Sequence, residues 1–494
     1  MSGAEPRRYD VARVGAGPVG SLCALAHARN GCSVVVLEAN PNTSKRLAGE
    51  WLHPPAMRIL SELGIEPDGD TGCTPGKGFV VFPEDGGEPI LLPYPDGRHG
   101  VAWEHERLVS RLRQAVEGEP GADLMLNARV RGIEGDRVSF TRNGEAGSIA
   151  ARLIVGADGR SSVVRRSLGL STRPQTCSRM LGVTLNGVRL PFEGYGHVIC
   201  AEPSPILVYR LGKRSVRLLV DLPAGHSNRQ TMGALARLYA DSLPDALGSL
   251  FLDALRMRRF HAATNALRPR HTYGTPGRVL IGDAAGHYHP LTAVGMTLGF
   301  GDAFTLADGD DFRDFARKRT QETRAPELLA MGLYEVFADH SVEAVALRRT
   351  IYRQWRERPA VRDRTIRLLA CEDTSVVKPG LGSRDGSDPG GRAGDHAVLQ
   401  ALHLAPDTPP GARARGSHSV ARSRDATAPP GGHRRCEAGT CAGDPLRRVS
   451  GLHAAARHRS RPHRGARPAG CLPGAQERDR APVEPPGRRR LLGG

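Results

Sequence analysis

Val14-Gly-Ala-Gly-Pro-Val-Gly20 is the stretch that decides the fold. It lies between two short apolar runs, Tyr9–Val14 and Val34–Leu37, and opens a segment that reads as helix from Pro18 to an Asn30-Gly31 stop. Strand, glycine-rich turn, helix, strand is a βαβ unit, and it predicts an α/β chain built on a Rossmann-like sheet. Gly15 permits the tight turn, Gly17 lets the backbone approach a pyrophosphate, and Gly20 allows close helix–strand packing. The helix start beyond the turn supplies unpaired N–H groups and positive partial charge for phosphates. Glu38 ends the second strand, 18 residues past Gly20, where a carboxylate can accept from both ribose hydroxyls and would repel a 2′-phosphate. A glycine-rich loop of an ordinary α/β protein is the plain alternative; strand, helix and acid in place favour the ligand-binding reading. Arg13 fits badly, because a central parallel strand should be apolar on both faces and burying an unpaired guanidinium is costly.

Residues 282–302 carry a second signal, Gly-Asp-Ala-Ala-Gly-His-Tyr-His-Pro-Leu-Thr-Ala-Val-Gly-Met-Thr-Leu-Gly-Phe-Gly-Asp. Asp283 follows the apolar strand Val279–Ile281 and can bond a sugar-alcohol hydroxyl. The helix expected from Gly295-Met-Thr297 aims its dipole at a ligand, which favours the anionic N1/O2 edge of a reduced flavin. Taken together, the two stretches describe the two ends of one bound flavin nucleotide. A third anchor is Asp158-Gly-Arg-Ser-Ser-Val-Val-Arg165 after the run Leu153–Val155, which also reads as a simple turn with a helix cap. His287 and His289 are better read as loop-shaping hydrogen-bonders than as metal ligands, since no third ligand stands nearby; no metal is expected.

Helices are expected over 54–64, 104–116 and 295 to about 375, and strands over 78–82, 90–94, 129–140, 150–155 and 180–222. This predicts an FAD-binding domain from 1–75, 100–175 and 270–310, an inserted β-rich substrate domain from 76–99 and 176–269, and a helical region at 311–378. The substrate domain should supply an apolar pocket roof, with Tyr94 and Tyr209 as polar handles. Residues 379–494 differ in kind: they hold 20 Arg and no Lys, 14 Pro and 19 Gly, and no Phe, Trp, Tyr, Ile, Met or Asn. Such a segment cannot bury enough apolar surface to offset its ordering entropy. It reads as a disordered tail or, the favoured alternative, as a frameshifted product of a GC-rich gene, which would make the Cys436/Cys441/His453/His458 cluster meaningless.

The formal charge of +17 is concentrated in that tail, and the basic residues are not interleaved with aromatics as a nucleic-acid surface would need. There is neither a GxSxG elbow nor an HExxH helix. No apolar signal core follows the N-terminus, no stretch reaches the about 20 apolar residues that span a bilayer, and nine Cys lie without CxxC spacing. The expectation is a cytoplasmic protein with at most peripheral membrane contact.

The three motifs at 15–20, 158–165 and 282–290 resemble those of FAD-dependent monooxygenases with the para-hydroxybenzoate hydroxylase fold. Within these, His289-Pro-Leu-Thr292, Gly295-Met-Thr297, Leu92-Pro-Tyr-Pro95, His105-Glu-Arg-Leu108 and Leu218-Leu-Val-Asp-Leu-Pro223 are most similar to the squalene epoxidases. The resemblance covers about residues 9–375, and the chain departs from it at Arg13 and Trp51. It implies that Pro18 and Val19 lie at the FAD pyrophosphate and Glu38 at the ribose. It further implies that Arg46 and Arg107 brace the phosphates and isoalloxazine side and that Val130 meets the adenine through its backbone. Asp283 and Met296 would hold the ribityl-pyrophosphate and the ring edge. The activity implied is transfer of one oxygen atom from a flavin C4a-hydroperoxide to a hydrophobic unsaturated substrate. Electrons would come from NAD(P)H, directly or through a separate reductase. A hydroxylase of a phenolic, quinone-type or prenylated aromatic is the alternative, and a flavin-dependent isoprenoid reductase, consuming no O2, is a second.

Overall fold

The strand Arg8–Val14 lies at the centre of an eight-stranded sheet, hydrogen-bonded in parallel to Val34–Glu38 on one side and Glu145–Gly156 on the other. The computed structural model describes residues 6–43, 47–67, 72–170, 173–223, 229–309 and 311–374. Arg46 and the expectations for 379–494, including the Cys436/Cys441/His453/His458 cluster, lie outside these residues. Val34–Val36 are fully buried because helices cover the sheet, the usual state of a parallel strand. Ala122–Leu126 extends the sheet beyond Val34–Glu38, and Arg278–Leu280 pairs in parallel with Glu145–Gly156, so the strand leading to Asp283 ends beside the one leading to Asp158. The stretch 129–140 is a hairpin, Ala128–Glu134 with Arg137–Arg142, rather than one strand. Gly135 takes the turn at a positive φ of 58°.

The helix Pro18–Arg29 packs against the sheet and against the helix Val294–Ala307. Gly20 makes that approach possible, since a Cβ there would stand 2.0 Å from the Gly15 carbonyl oxygen. Arg13 is completely buried beneath this helix. Its Nη2 donates to His27 Nδ1 at 2.8 Å, while Nε and Nη1 have no partner among the described residues. Burial alone pushes its pKa down. A buried guanidinium with one partner carries an uncompensated desolvation cost that an apolar side chain does not, offset by about 1–3 kcal/mol for any cavity the shorter side chain leaves. An Arg13→Leu protein is therefore expected to unfold at a higher urea concentration, and a lower midpoint would refute this.

A second sheet of seven strands runs Phe260–Leu267, Gln175–Asn186, Ser215–Pro223, Ile206–Arg210, Tyr195–Ile199, Gly78–Phe82 and Ile90–Pro93. One face carries Val183, Val208 and Leu218, which bury against two helices, Arg229–Asp241 and Asp245–Arg256. Those helices were not anticipated. Their apolar residues recur at helical spacing, as Leu235 and Tyr239 and again as Leu247 and Phe251, inside a block whose strands dominate the pattern. The other face carries Phe79, Met180, Leu207, Tyr209 and Leu219. A three-stranded sheet of Trp51–Leu52, Cys73–Gly76 and Gly100–Trp103 joins the chain between the larger sheets. Phe312–Ala338, Val342–Glu357 and Pro359–Leu369 form the helical end of the described chain, and no described helix is long and apolar enough to cross a membrane.

Burial holds several histidines neutral in this framework. His27 is pushed down to about 3, and His53, His197 and His287 to about 4. Unfolding returns each to an ordinary value near 6.5, so between about pH 6.5 and 4 the unfolded chain binds more protons than the folded one. Stability therefore rises with pH through this window and is lost as pH falls through it. Urea midpoints should drop steeply from pH 7 to pH 5, with proton uptake on unfolding; a flat profile would contradict the burial of these rings.

Candidate active site

A cavity of about 860 Å³ runs from the first glycine turn to the inner face of the second sheet. Of the residues singled out in the sequence, Gly15, Gly17, Pro18, Val19, Glu38, Val130, Asp158, Asp283, Gly295 and Met296 line it. Gly20 stands behind the turn in its packing role.

At the first end, Glu38 Oε2 accepts from Ala16 N and Oε1 from Asn40 N, both at 2.7 Å. Arg113 fastens the same corner: Nε donates to Ala16 O at 2.9 Å, Nη1 reaches Asn40 O and Pro41 O at 3.2 Å, and Nη2 lies 3.4 Å from Glu38 Oε2. Arg113 was missed by sequence reasoning. The available signal was an arginine on the apolar stripe of the helix His105–Glu117, four residues after buried Val109. Arg107, on the same helix, does not line the cavity; its Nε is engaged by Glu104 Oε2 at 2.8 Å, one helical turn back.

At the middle, Asp158 Oδ2 accepts from Val163 N at 2.6 Å, as a capping residue would. Its Oδ1 is buried without a partner among the described residues, and desolvation raises its pKa. The arginines of the 158–165 motif clamp the adjoining loop: Arg165 Nη1 donates to Ala284 O at 2.8 Å, and Arg160 Nε lies 3.3 Å from Asp283 Oδ2. At the far end, Ala293 adopts a left-handed φ of 55° and starts the helix Val294–Ala307. This conformation costs a non-glycine residue about 1–2 kcal/mol, and it turns the helix N-terminus, with Gly295 and Met296, onto the cavity.

The residues fit FAD. Cβ atoms built on Gly17 and Gly295 would meet nothing within 4 Å, so both glycines face open space where a ligand backbone can approach. Two helix N-termini face the cavity, suiting a pyrophosphate at one end and an anionic ring edge at the other.

Beyond the ring end, Leu47, Trp51, Phe79, Met180, Leu207 and Leu219 form an apolar wall. Tyr209 is on this wall and donates to Glu50 Oε2 at 2.9 Å; Arg217 grips Glu50 with Nε at 2.9 Å and Nη2 at 2.7 Å. Tyr94, expected as a second handle, is instead behind the wall. Its hydroxyl accepts from Trp51 Nε1 at 2.8 Å and donates to His53 Nδ1 at 2.7 Å, and His53 Nε2 donates to Thr292 O at 3.1 Å. His289 shapes its loop through Nδ1, which accepts from Leu291 N at 3.2 Å. Its Nε2 donates to Asp221 Oδ1 at 3.2 Å, and the ring stacks on Tyr334. His287 pairs with Arg268 through the backbone, and both its ring nitrogens are buried without a partner among the described residues.

Sheet order, glycine turn and cavity define the class, that of FAD-dependent monooxygenases. Among solved structures, p-nitrophenol 4-monooxygenase PnpA from Pseudomonas putida matches with a TM-score of 0.63 at 18% identity, covering 76% of this chain and 100% of that one. PqsL, a probable FAD-dependent monooxygenase from Pseudomonas aeruginosa, matches with a TM-score of 0.56 at 20% identity, covering 73% and 99%. The family model for squalene epoxidase matches residues 150–376. The squalene epoxidase erg1 of Aspergillus fumigatus is 31% identical over 396 residues, 72% of this chain and 81% of the relative. Squalene epoxidase 1 of Arabidopsis thaliana is 30% identical over 365 residues, 68% of each. The chain belongs to the squalene epoxidase family and is an FAD-dependent oxidoreductase.

Proposed function

We propose that the protein inserts one oxygen atom from O2 into a carbon–carbon double bond of a hydrophobic isoprenoid or polyene substrate, with NAD(P)H as the electron source, directly or through a separate reductase. The observation that carries this reading is the continuity of one cavity from the Gly15–Gly20 turn, past Asp283 and Gly295, to an apolar wall on the second sheet. FAD, reduced and combined with O2, supplies the oxygen atom. The chain's own residues bind and orient. Gly17 and the following helix start receive the pyrophosphate, Glu38 held by Arg113 receives the ribose, Val130 meets the adenine, and Asp158 and Asp283 stand along the ribityl-phosphate path. The N-terminus of Val294–Ala307 favours negative charge at the ring edge. Leu47, Phe79, Met180, Leu207 and Leu219 exclude water and hold the apolar substrate. None of this requires a nucleophile or a metal. We place the protein in the cytoplasm, with at most peripheral membrane contact.

Turnover with ¹⁸O-labelled O2 tests the reading. The product should be heavier by one labelled oxygen; an unlabelled product, or turnover without O2, would overturn it.

A further inference from the structure

The substrate side of the cavity is short of hydrogen-bond donors. Asn265, on the strand Phe260–Leu267, lines the cavity and is 2% exposed. Its Nδ2 lies 2.9 Å from Asp221 Oδ1 and 3.0 Å from Ser178 Oγ. A carboxylate repels a carbonyl oxygen, so Asp221 dictates the orientation of the amide: both N–H bonds turn inward and Oδ1 turns away. Among the described residues Oδ1 takes no hydrogen bond, while Asp221 Oδ1 also receives Ser178 Oγ and His289 Nε2. The other donors nearby are engaged in the same way. Trp51 Nε1 is given to Tyr94, the Tyr209 hydroxyl to Glu50 and the Tyr288 hydroxyl to Glu327. What this wall keeps for a ligand is acceptor lone pairs, foremost Asn265 Oδ1.

We infer that the cavity is built for an unsaturated lipophilic molecule that carries an O–H group, whose proton is accepted by Asn265 Oδ1, rather than for a pure hydrocarbon. A hydrocarbon would leave Oδ1 buried without a partner, a cost that a hydroxyl removes. Asp221 and Ser178, which do not line the cavity, are positioning residues that fix the amide, and His289 holds Asp221 in turn. Aliphatic isoprenoid alcohols and prenylated phenols both supply the O–H, and the experiment separates them. The inference rests on the proposed oxygenation reading for its unsaturated substrate.

The test is a titration of the FAD-loaded full-length protein, following ligand-induced changes in flavin absorbance. The probes are a long-chain isoprenoid alcohol, its methyl ether, the hydrocarbon of equal chain length, and a phenol bearing the same prenyl chain. The alcohol or the phenol should bind about tenfold more tightly than the ether and the hydrocarbon, the worth of one net hydrogen bond. Whichever of the two binds more tightly identifies the source of the O–H. In an Asn265→Leu protein that preference should vanish, with FAD affinity unchanged and the hydrocarbon bound more tightly, because no buried acceptor is then left without a partner. Ether or hydrocarbon binding as tightly as both hydroxylated probes in the native protein would overturn the inference, and this comparison needs no variant. Loss of FAD affinity in Asn265→Leu, with ligand preference retained, would overturn it too by assigning Oδ1 to the cofactor. Labelled product from the hydrocarbon without any O–H preference would sink this inference alone. Oxidised product that carries no label, or turnover without O2, would sink the oxygenation reading instead.

Discussion

A Gly17→Val protein should purify folded and colourless. Gly17 caps the helix Pro18–Arg29 at φ −73° and ψ −178°, an extended conformation that valine adopts without strain. A Cβ there meets nothing within 4 Å in the protein, so the first added carbon has room, and the expected cost to the apoprotein is the modest one of a valine at a helix N-cap. The only thing it obstructs is the space in front of the helix start, where the pyrophosphate must come within hydrogen-bonding reach of the backbone. Three added carbons at that distance should cost roughly 4 kcal/mol or more, about a thousandfold in FAD affinity. The control lies three residues on. Gly20→Ala would place a Cβ 2.0 Å from Gly15 O, so it should compromise the fold itself. A Gly17→Val protein that unfolds cooperatively in urea, with a midpoint slightly below the native one, and has no flavin absorbance is the expected result. A stoichiometrically yellow Gly17→Val protein would remove the 14–20 turn from the cofactor site.

These two glycines also show why part of the site was legible in the sequence. A βαβ nucleotide turn is local: strand, turn, helix and acid follow one another within residues 9–38, and each has a steric or electrostatic reason that shows in spacing alone. Asp283 and Gly295 were readable for the same reason, lying on one continuous stretch after an apolar strand. The polar groups that set the substrate wall were not. Glu50 and Arg217 are separated by 167 residues and Ser178 and Asp221 by 43, and only the tertiary fold brings them together. Charged residues inside apolar strands look like interruptions until their partners are known. Arg217 and Arg13 appear alike in sequence, yet one grips a carboxylate with two nitrogens and the other meets only a histidine. The tyrosines carry the same lesson. Tyr94 and Tyr209 were equal candidates for the pocket, and the fold gives the hydroxyl of the first to Trp51 and His53.

Asp302 closes the stretch 282–302, and its replacement should cause the largest loss of stability of any single change in the site. The carboxylate is fully buried and serves three elements at once. Oδ2 accepts from Gly282 N at 3.0 Å and from Arg270 Nη1 at 2.6 Å, and Oδ1 accepts from Arg319 Nε at 2.9 Å. Arg319, on the helix Phe312–Ala338, also donates to Leu298 O at 3.0 Å, and Arg270 lies 2.9 Å from Glu327 on the same helix. The carboxylate raises the pKa of both guanidiniums against the burial that would lower them. Asp302→Ala removes one of two counter-charges from each of two buried cations, Arg270 keeping Glu327 and Arg319 keeping Glu322, and should cost up to about 3–5 kcal/mol, a large share of a typical folding free energy of about 5–15 kcal/mol. Asp302→Asn keeps the volume and part of the hydrogen bonding but loses the charge, and should fall between the two. Because Gly282 N is one of the three groups released, the loop carrying Asp283 should loosen as well. FAD affinity is then expected to fall in both variants, even where the protein remains folded at low urea. Urea unfolding of the apoproteins isolates the first effect, and flavin retention during gel filtration at zero urea reads the second. An Asp302→Ala protein with an unchanged urea midpoint would show that this ion cluster does not hold the helical end of the chain to the cofactor loop.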